Sequence, residues 1–239
     1  MSVLQGIKGI IFDYGGTIDS NGDHWSEVLW DAYTQVQVPV EKTQFRDAYV
    51  FGERSLATYP YIRPEHNFYN VLETKVKLQM QYLVEHGYLE TNEKVEFFVV
   101  SIAGICYEFA RETVSKAREL IALLHEKYPM VMVSNFYGNI QTVLSDFGLD
   151  SYFKTIIESA VVKIRKPDPA IFDLGVKALA LHPEETAVIG DSYKKDIVPA
   201  QSLGCQTIWI KGKGWTDEEN KQEHKHTVYN FVDLKELLL

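Results

Sequence analysis

From about Val114 onward the chain alternates short apolar runs with helix-period segments, and this alternation restricts the possible fold more than any other feature. "MVMVS" (130–134), "TIIES" (155–159), "TAVIG" (186–190) and "QTIWI" (206–210) read as strands. Helices are expected over 115–128, 139–147, 169–180 and 194–203, with Gly148 stopping the second. "KGIIFD" (8–13) reads as a first strand of the same sheet. The pattern predicts an α/β protein, a Rossmann-like parallel sheet covered by helices.

Between Asn21 and about Glu112 the character changes to long helical periods with no convincing strand. Helices are expected at 24–37, 43–56, 65–86 and 92–111, with Pro39, Pro60, Pro64 and Gly87 as breakers between them. In the third, Leu72, Val76, Gln79 or Met80, and Leu83 share one face. The expected division is therefore a core of residues 1–20 and 113–239, interrupted by an all-helical insert of residues 21–112.

An apolar fraction of 46% in 239 residues supplies a core for one large domain or two modest ones. The net charge of −9 disfavours nonspecific binding to nucleic acid or an anionic membrane, leaving small molecules or proteins as expected partners. Cys106 and Cys205 suggest no disulfide framework. The stretch Ile7–Phe12 is interrupted by Lys8, unlike a signal peptide, and the longest apolar run, Phe97–Tyr107, is too short for a membrane helix. A cytoplasmic protein is expected.

Four short pieces stand at predicted carboxyl ends of strands, where open parallel sheets place their sites. "FDYGGT" (12–17) offers Asp13 before a glycine-rich turn whose N–H groups suit a phosphate. "VSN" (133–135) offers the Ser134 hydroxyl, and "RKPDP" (165–169) offers Lys166 as a point cation for phosphate and carboxylate. "GDSYKKD" (190–196) offers Asp191 and Asp196, hard oxygen ligands of the kind Mg²⁺ prefers. Taken singly each has a plain structural reading, as a loop charge, a helix cap or a turn.

In this order, and with a helical insert after the first, the pieces resemble the motifs of the haloacid dehalogenase superfamily in its helical-cap branch. The resemblance covers the whole chain. It implies that Asp13 is a nucleophile forming an aspartyl-phosphate on a small phosphorylated metabolite, with Ser134 and Lys166 completing the catalytic set. It further implies that Mg²⁺ is held by Asp13, the Gly15 backbone carbonyl and Asp191, with Asp196 and Thr17 behind them. Substrate oxygens are expected at Ser134, Lys166, the N–H groups of Tyr14 and Gly15, and Asn135. Dehalogenation fits less well, because "GDSYKKD" keeps the paired acids that dehalogenases of the family usually lack.

The first motif departs from the family pattern. Phosphatases of the family carry a second aspartate, the general acid and base, where this chain has Gly15. Three readings stay open. Asp19, Asp23 or His24 at the entry to the insert supplies the proton, or the substrate has a leaving group that needs little acid help. A cap lysine, Lys42, Lys75, Lys77 or Lys94, forms a Schiff base, as in the phosphonate-cleaving members. Or the chain binds a phosphorylated ligand or a protein and does not turn over. The tyrosine-dense stretch 58–69, with Arg63 and His66, is a candidate reader of the substrate's distal part, as are Arg54 and Trp25, beside the plainer reading of an interhelical loop packed by its aromatics.

Overall fold

The computed structural model describes residues 4–91 and 94–239. Its strands are β1 (Gly9–Phe12), β2 (Met130–Ser134), β3 (Thr155–Glu158), β4 (Thr186–Gly190), β5 (Gln206–Ile210) and β6 (Thr227–Val228). They form one sheet in the order β3-β2-β1-β4-β5-β6, every pairing parallel. Strand β6, only two residues long, has no counterpart in the sequence reading.

The strands are apolar throughout because both faces of the sheet are covered. Ile11, Val131, Val133 and Val188 share a buried cluster with Ile171, Phe172 and Val176 of helix α7 (Ala170–Leu179). Their neighbours Ile10, Phe12, Met130, Met132 and Ile189 belong to the larger cluster on the other face, with Val114, Ile121 and Leu124. Each such side chain contributes about 1.5–3 kcal/mol on burial.

Four helices follow β1: α1 (Trp25–Val36), α2 (Lys42–Thr58), α3 (Phe68–Glu85) and α4 (Lys94–Lys127). Helix α1 is capped by His24, whose Nδ1 accepts the Ser26 N–H, and α3 by a reciprocal Asn67–Asn70 capping box. Helix α2 packs on α3, and α4 packs on both α1 and α3.

The two helices expected at 92–111 and 115–128 are one helix of 34 residues, so the expected core boundary at 112/113 falls inside α4. Residues 108–119 contain no glycine or proline and are rich in Ala, Glu, Arg and Lys, all good helix formers. Buried Cys106, Ala110, Val114, Ala117, Ile121 and Leu124 keep the three- and four-residue spacing across the expected break. Positions 92 and 93 of the predicted helix lie outside the described residues. The remaining elements are α5 (Ile140–Asp146), α6 (Ser159–Val162), α8 (Val198–Ser202), α9 (Asp217–Asn220) and α10 (Lys235–Leu238). The helix expected at 194–203 is split, a π-type turn at Tyr193–Ile197 leading into α8. Among the described residues no helix is long and apolar enough to cross a membrane.

Candidate active site

Sheet register brings the four motif pieces together. Phe12 pairs with Met132 on one side and Ile189 on the other, which levels the carboxyl ends of β1, β2 and β4. Asp13, Ser134 and Asp191 leave those ends and line one pocket with Lys166 and Asp196. The Asp13 N–H donates to Ile189 O at 2.9 Å, extending the ladder one residue and fixing where the carboxylate stands.

The Lys166 ammonium donates to Asp13 Oδ1 at 2.6 Å and to Asp196 Oδ1 at 2.7 Å, with its side chain 2% exposed. The other oxygen of Asp196 accepts the Ser192 N–H at 3.0 Å. The Thr17 hydroxyl stands 2.8 Å from Asp13 Oδ2 and 3.1 Å from Asp191 Oδ1, and accepts the Asp191 N–H at 3.0 Å. Two close approaches require glycine here. A Cβ on Gly16, whose φ is +95°, would lie 2.4 Å from the Asp191 carboxylate, and one on Gly190 would lie 2.4 Å from Asp196.

The electrostatics follow from burial. Burial, then the neighbouring Asp13 and Asp196 charges, hold Asp191 well above the usual carboxylate range. Burial also lifts Asp196 to about 6, against the lowering pull of Lys166. Burial disfavours the Lys166 charge, but Asp13 and Asp196 outweigh it and keep its pKa above the ordinary lysine value. One ligand oxygen from each of Asp13, Asp191 and Asp196 lies within 4.8 Å of the others. Two buried carboxylates, Asp13 and Asp196, and the half-buried Asp191 against one ammonium leave negative charge uncompensated, in an all-oxygen donor set. Those residues fit a hard divalent cation such as Mg²⁺.

Other predicted residues are placed differently. Asn135 lines the pocket, but its amide is committed to the Lys166 backbone, donating to Lys166 O at 3.1 Å and accepting Lys166 N–H at 2.9 Å. It therefore holds Lys166 in position from the pocket wall. The Tyr14 ring is buried edge-on against Phe68 and Phe136, so only its backbone remains available for the turn. Arg63 and Arg54 are exposed and outside the pocket lining. The stretch 58–69 is tied to the start of α5, since Asn139 donates to His66 O at 2.7 Å and Thr142 to Pro64 O at 2.6 Å. Only Phe68 from that stretch lines the pocket.

Of the three proton-donor candidates, Asp23 is turned to the loop after β5, accepting the Lys213 N–H at 2.7 Å. His24 lines the pocket, but burial, then Lys195, push it down to about 4. Its Nδ1 accepts from Ser26 N, which leaves the neutral ring's proton on Nε2. Asp19 is fully buried and lines the pocket. It accepts from Gly16 N at 2.7 Å and from Trp25 Nε1 at 3.0 Å, and burial raises it to about 7.

Sequence reasoning did not single out the partners of the one candidate lysine that reaches the site. Lys42 pairs with Glu27 and Lys77 with Glu73, while Lys75 of α3 is buried in the pocket wall, 2.6 Å from Glu53 of α2. Tyr137 donates to the other Glu53 oxygen at 3.2 Å. Burial opposes the Lys75 charge, yet Glu53 holds its pKa well above the usual lysine value. A Schiff base needs the free amine, so this pairing works against the phosphonate reading. Trp215, from the loop after β5, also lines the pocket, tilted against His24 and Tyr49 and covered by Arg46 at 4.7 Å.

A family model described as a haloacid dehalogenase-like hydrolase matches residues 7–204. Over 160 residues the chain is 28% identical to a glyceraldehyde 3-phosphate phosphatase of Pyrococcus furiosus, covering 66% of each chain. Over 63 residues it is 36% identical to a phosphoserine phosphatase of Thermus thermophilus, covering 26% of this chain and 25% of that one. The chain thus spans between a quarter and two thirds of the length of these curated relatives. Its fold is similar to that of the HAD-hydrolase YfnB from Bacillus subtilis bound to magnesium, with a TM-score of 0.59, 22% identity, and coverage of 96% of this chain and 97% of that one. A dehalogenase with an intermediate complex matches at a TM-score of 0.65 and 17% identity, over 99% of each chain.

Proposed function

Because the chain belongs to the haloacid dehalogenase-like hydrolases, we propose that it is a Mg²⁺-dependent phosphatase that takes the phosphoryl group of a small metabolite onto Asp13. The observation that carries this reading is the Lys166 ammonium held between Asp13 and Asp196, beside Thr17 and Asp191, at the carboxyl ends of β1 and β4. The relatives named as phosphatases support it.

In the first step the Asp13 carboxylate attacks phosphorus and the bond to the leaving oxygen breaks. In the second, water attacks the aspartyl-phosphate, phosphate departs and the carboxylate is restored. Lys166 steers the carboxylate and meets the charge that builds on the phosphoryl oxygens, together with Ser134 and the N–H groups of Tyr14 and Gly15. Asn135 keeps Lys166 in register through both ends of its amide. Asp13, Asp191 and the Gly15 carbonyl would hold Mg²⁺, with Asp196 behind them. The cation, when bound, offsets the repulsion between an anionic nucleophile and an anionic phosphate. Residues 21–112 act as a cap over this site.

The leaving oxygen needs a proton that Gly15 does not provide. Asp19 is a pocket carboxyl outside the proposed metal ligands that keeps a proton near neutrality, so it takes the acid role and then the base role. No steric demand explains the glycine, since a Cβ at position 15 would meet nothing within 4 Å.

The test is phosphate release from acetyl phosphate and a panel of alkyl phosphates with Mg²⁺. Turnover is expected in the native protein and absent in Asp13→Asn. Ligand binding without Asp13-dependent turnover would instead support a phospho-ligand binding module.

A further inference from the structure

We propose that the Lys75–Glu53 pair reads a hydroxylated carbon chain on the substrate, so that the protein selects sugar or polyol phosphates over phosphorylated carboxylates and amino acids. This rests on the phosphoryl-transfer reading of Asp13, whose pocket the pair shares.

The two side chains come from adjacent helices, Glu53 from α2 and Lys75 from α3, and meet at 2.6 Å on the helical wall of the pocket. Lys75 is only 7% exposed, a burial that a lysine tolerates when its charge is answered on the spot. Its ammonium lies 5.9 Å from the ring centroids of both Tyr49 and Tyr137. Glu53 Oε1 faces the Lys75 ammonium and Oε2 accepts from Tyr137 at 3.2 Å, one partner for each oxygen, and the second lone pair of each leaves acceptor capacity at the pair. The three N–H groups of an ammonium likewise exceed what one carboxylate oxygen takes up.

Such a wall is neutral in sum but offers a strong donor and a strong acceptor side by side. A hydroxyl satisfies both at once, accepting from Lys75 and donating to Glu53, and leaves the ion pair intact. A lone carboxylate ligand would add a third charge beside Glu53, and a lone ammonium would do the same beside Lys75. A zwitterionic amino acid fits only by pulling the two apart, exchanging one buried pair for two. Tyr49 and Trp215 add aromatic surface to the same pocket, suited to the C–H faces of a sugar chain. His24 contributes a neutral ring with its proton on Nε2, one more donor for an uncharged ligand.

Calorimetry on the Mg²⁺-loaded Asp13→Asn protein, which binds without turnover, compares ribose 5-phosphate, 2-deoxyribose 5-phosphate, phosphoserine and phosphoglycolate. Ribose 5-phosphate is expected to bind about tenfold or more tightly than phosphoserine and phosphoglycolate, and more tightly than its deoxy analogue. Adding Lys75→Met or Glu53→Gln is expected to reduce that preference by about tenfold or more, and either variant alone suffices for the comparison. Tighter binding of phosphoserine or phosphoglycolate, or an undiminished preference in both variants, would overturn the proposal. Acetyl phosphate, too short to reach the pair, reports the Asp13 chemistry separately in the native protein. Its turnover without a sugar preference sinks the role of the pair alone, whereas the preference without turnover sinks the catalytic reading alone.

Discussion

The Lys166 ammonium stands 2.6 Å from Asp13 Oδ1, buried between that carboxylate and Asp196. Removing one partner of a buried charge cluster leaves the others uncompensated, at about 3–5 kcal/mol. Lys166→Met is therefore expected to lose stability of that order at pH 8, and turnover by about 10²-fold or more. The stability loss shrinks toward pH 5, because Asp196, raised to about 6, takes up a proton there. Chemical denaturation at the two pH values checks it, and an equal loss at both contradicts it.

Burial raises the folded-state pKa of Asp19 to about 7 and of Asp196 to about 6, and lifts Asp191 as well. A carboxyl whose folded pKa exceeds its unfolded value contributes stability below the unfolded pKa, near 4, and loses it as pH rises through the folded value. The metal-free protein is thus expected to melt at falling temperature from pH 5 to pH 8. Millimolar Mg²⁺ should recover more of the loss at pH 8 than at pH 5, since the cation competes with protons for Asp13 and Asp191. Thermal melts with chelator and with Mg²⁺ test this; a melting temperature that rises toward pH 8 in chelator rules it out.

Gly15 has room for a side chain, and its φ is not among the positive glycine values. Gly15→Asp is therefore expected to fold normally and, in the Asp19→Asn background where the native proton donor is lost, to speed alkyl phosphate hydrolysis by about tenfold to a hundredfold. Acetyl phosphate, whose leaving group needs no proton, should change by less than about threefold. An equal rise on both substrates would mean that the added carboxylate acts by some route other than proton donation.

Asp19 accepts from Gly16 N and Trp25 Nε1 beside the first motif. If it supplies the proton, kcat on alkyl phosphates should fall above a pH of about 7, as Asp19 ionises. Asp19→Asn should slow alkyl phosphates by about tenfold or more and erase that alkaline limb. A limb that persists in the variant assigns the proton to another group.

The parallel sheet and its site were legible because the physics behind them is local. Strands buried on both faces are apolar throughout, and the reacting groups sit at their ends, so "GIIFD", "MVMVS" and "TAVIG" mark Asp13, Ser134 and Asp191. Helix α4 was less legible, since its polar stretch 108–119 has the composition of a connector yet contains nothing that stops a helix. Strand β6 is two residues held by its pairing with β5, too short for any periodicity. The Glu53–Lys75 pair is created by the packing of α2 on α3, and neither residue differs locally from a solvated helix charge. Asn135 illustrates the same limit: its place beside Ser134 could be read, but its commitment to the Lys166 backbone depends on β2 and the 165–167 segment meeting in space.

The central claim is that Asp13 accepts the phosphoryl group, and covalent capture tests it most directly. The protein is mixed with acetyl phosphate and Mg²⁺, quenched in acid within the first turnovers, and its peptides are weighed. The account predicts one added phosphoryl group on the peptide containing Asp13, removed by hydroxylamine and absent from Asp13→Asn. Phosphate released at the native rate by Asp13→Asn, or a phosphoryl group found on another residue, would contradict it.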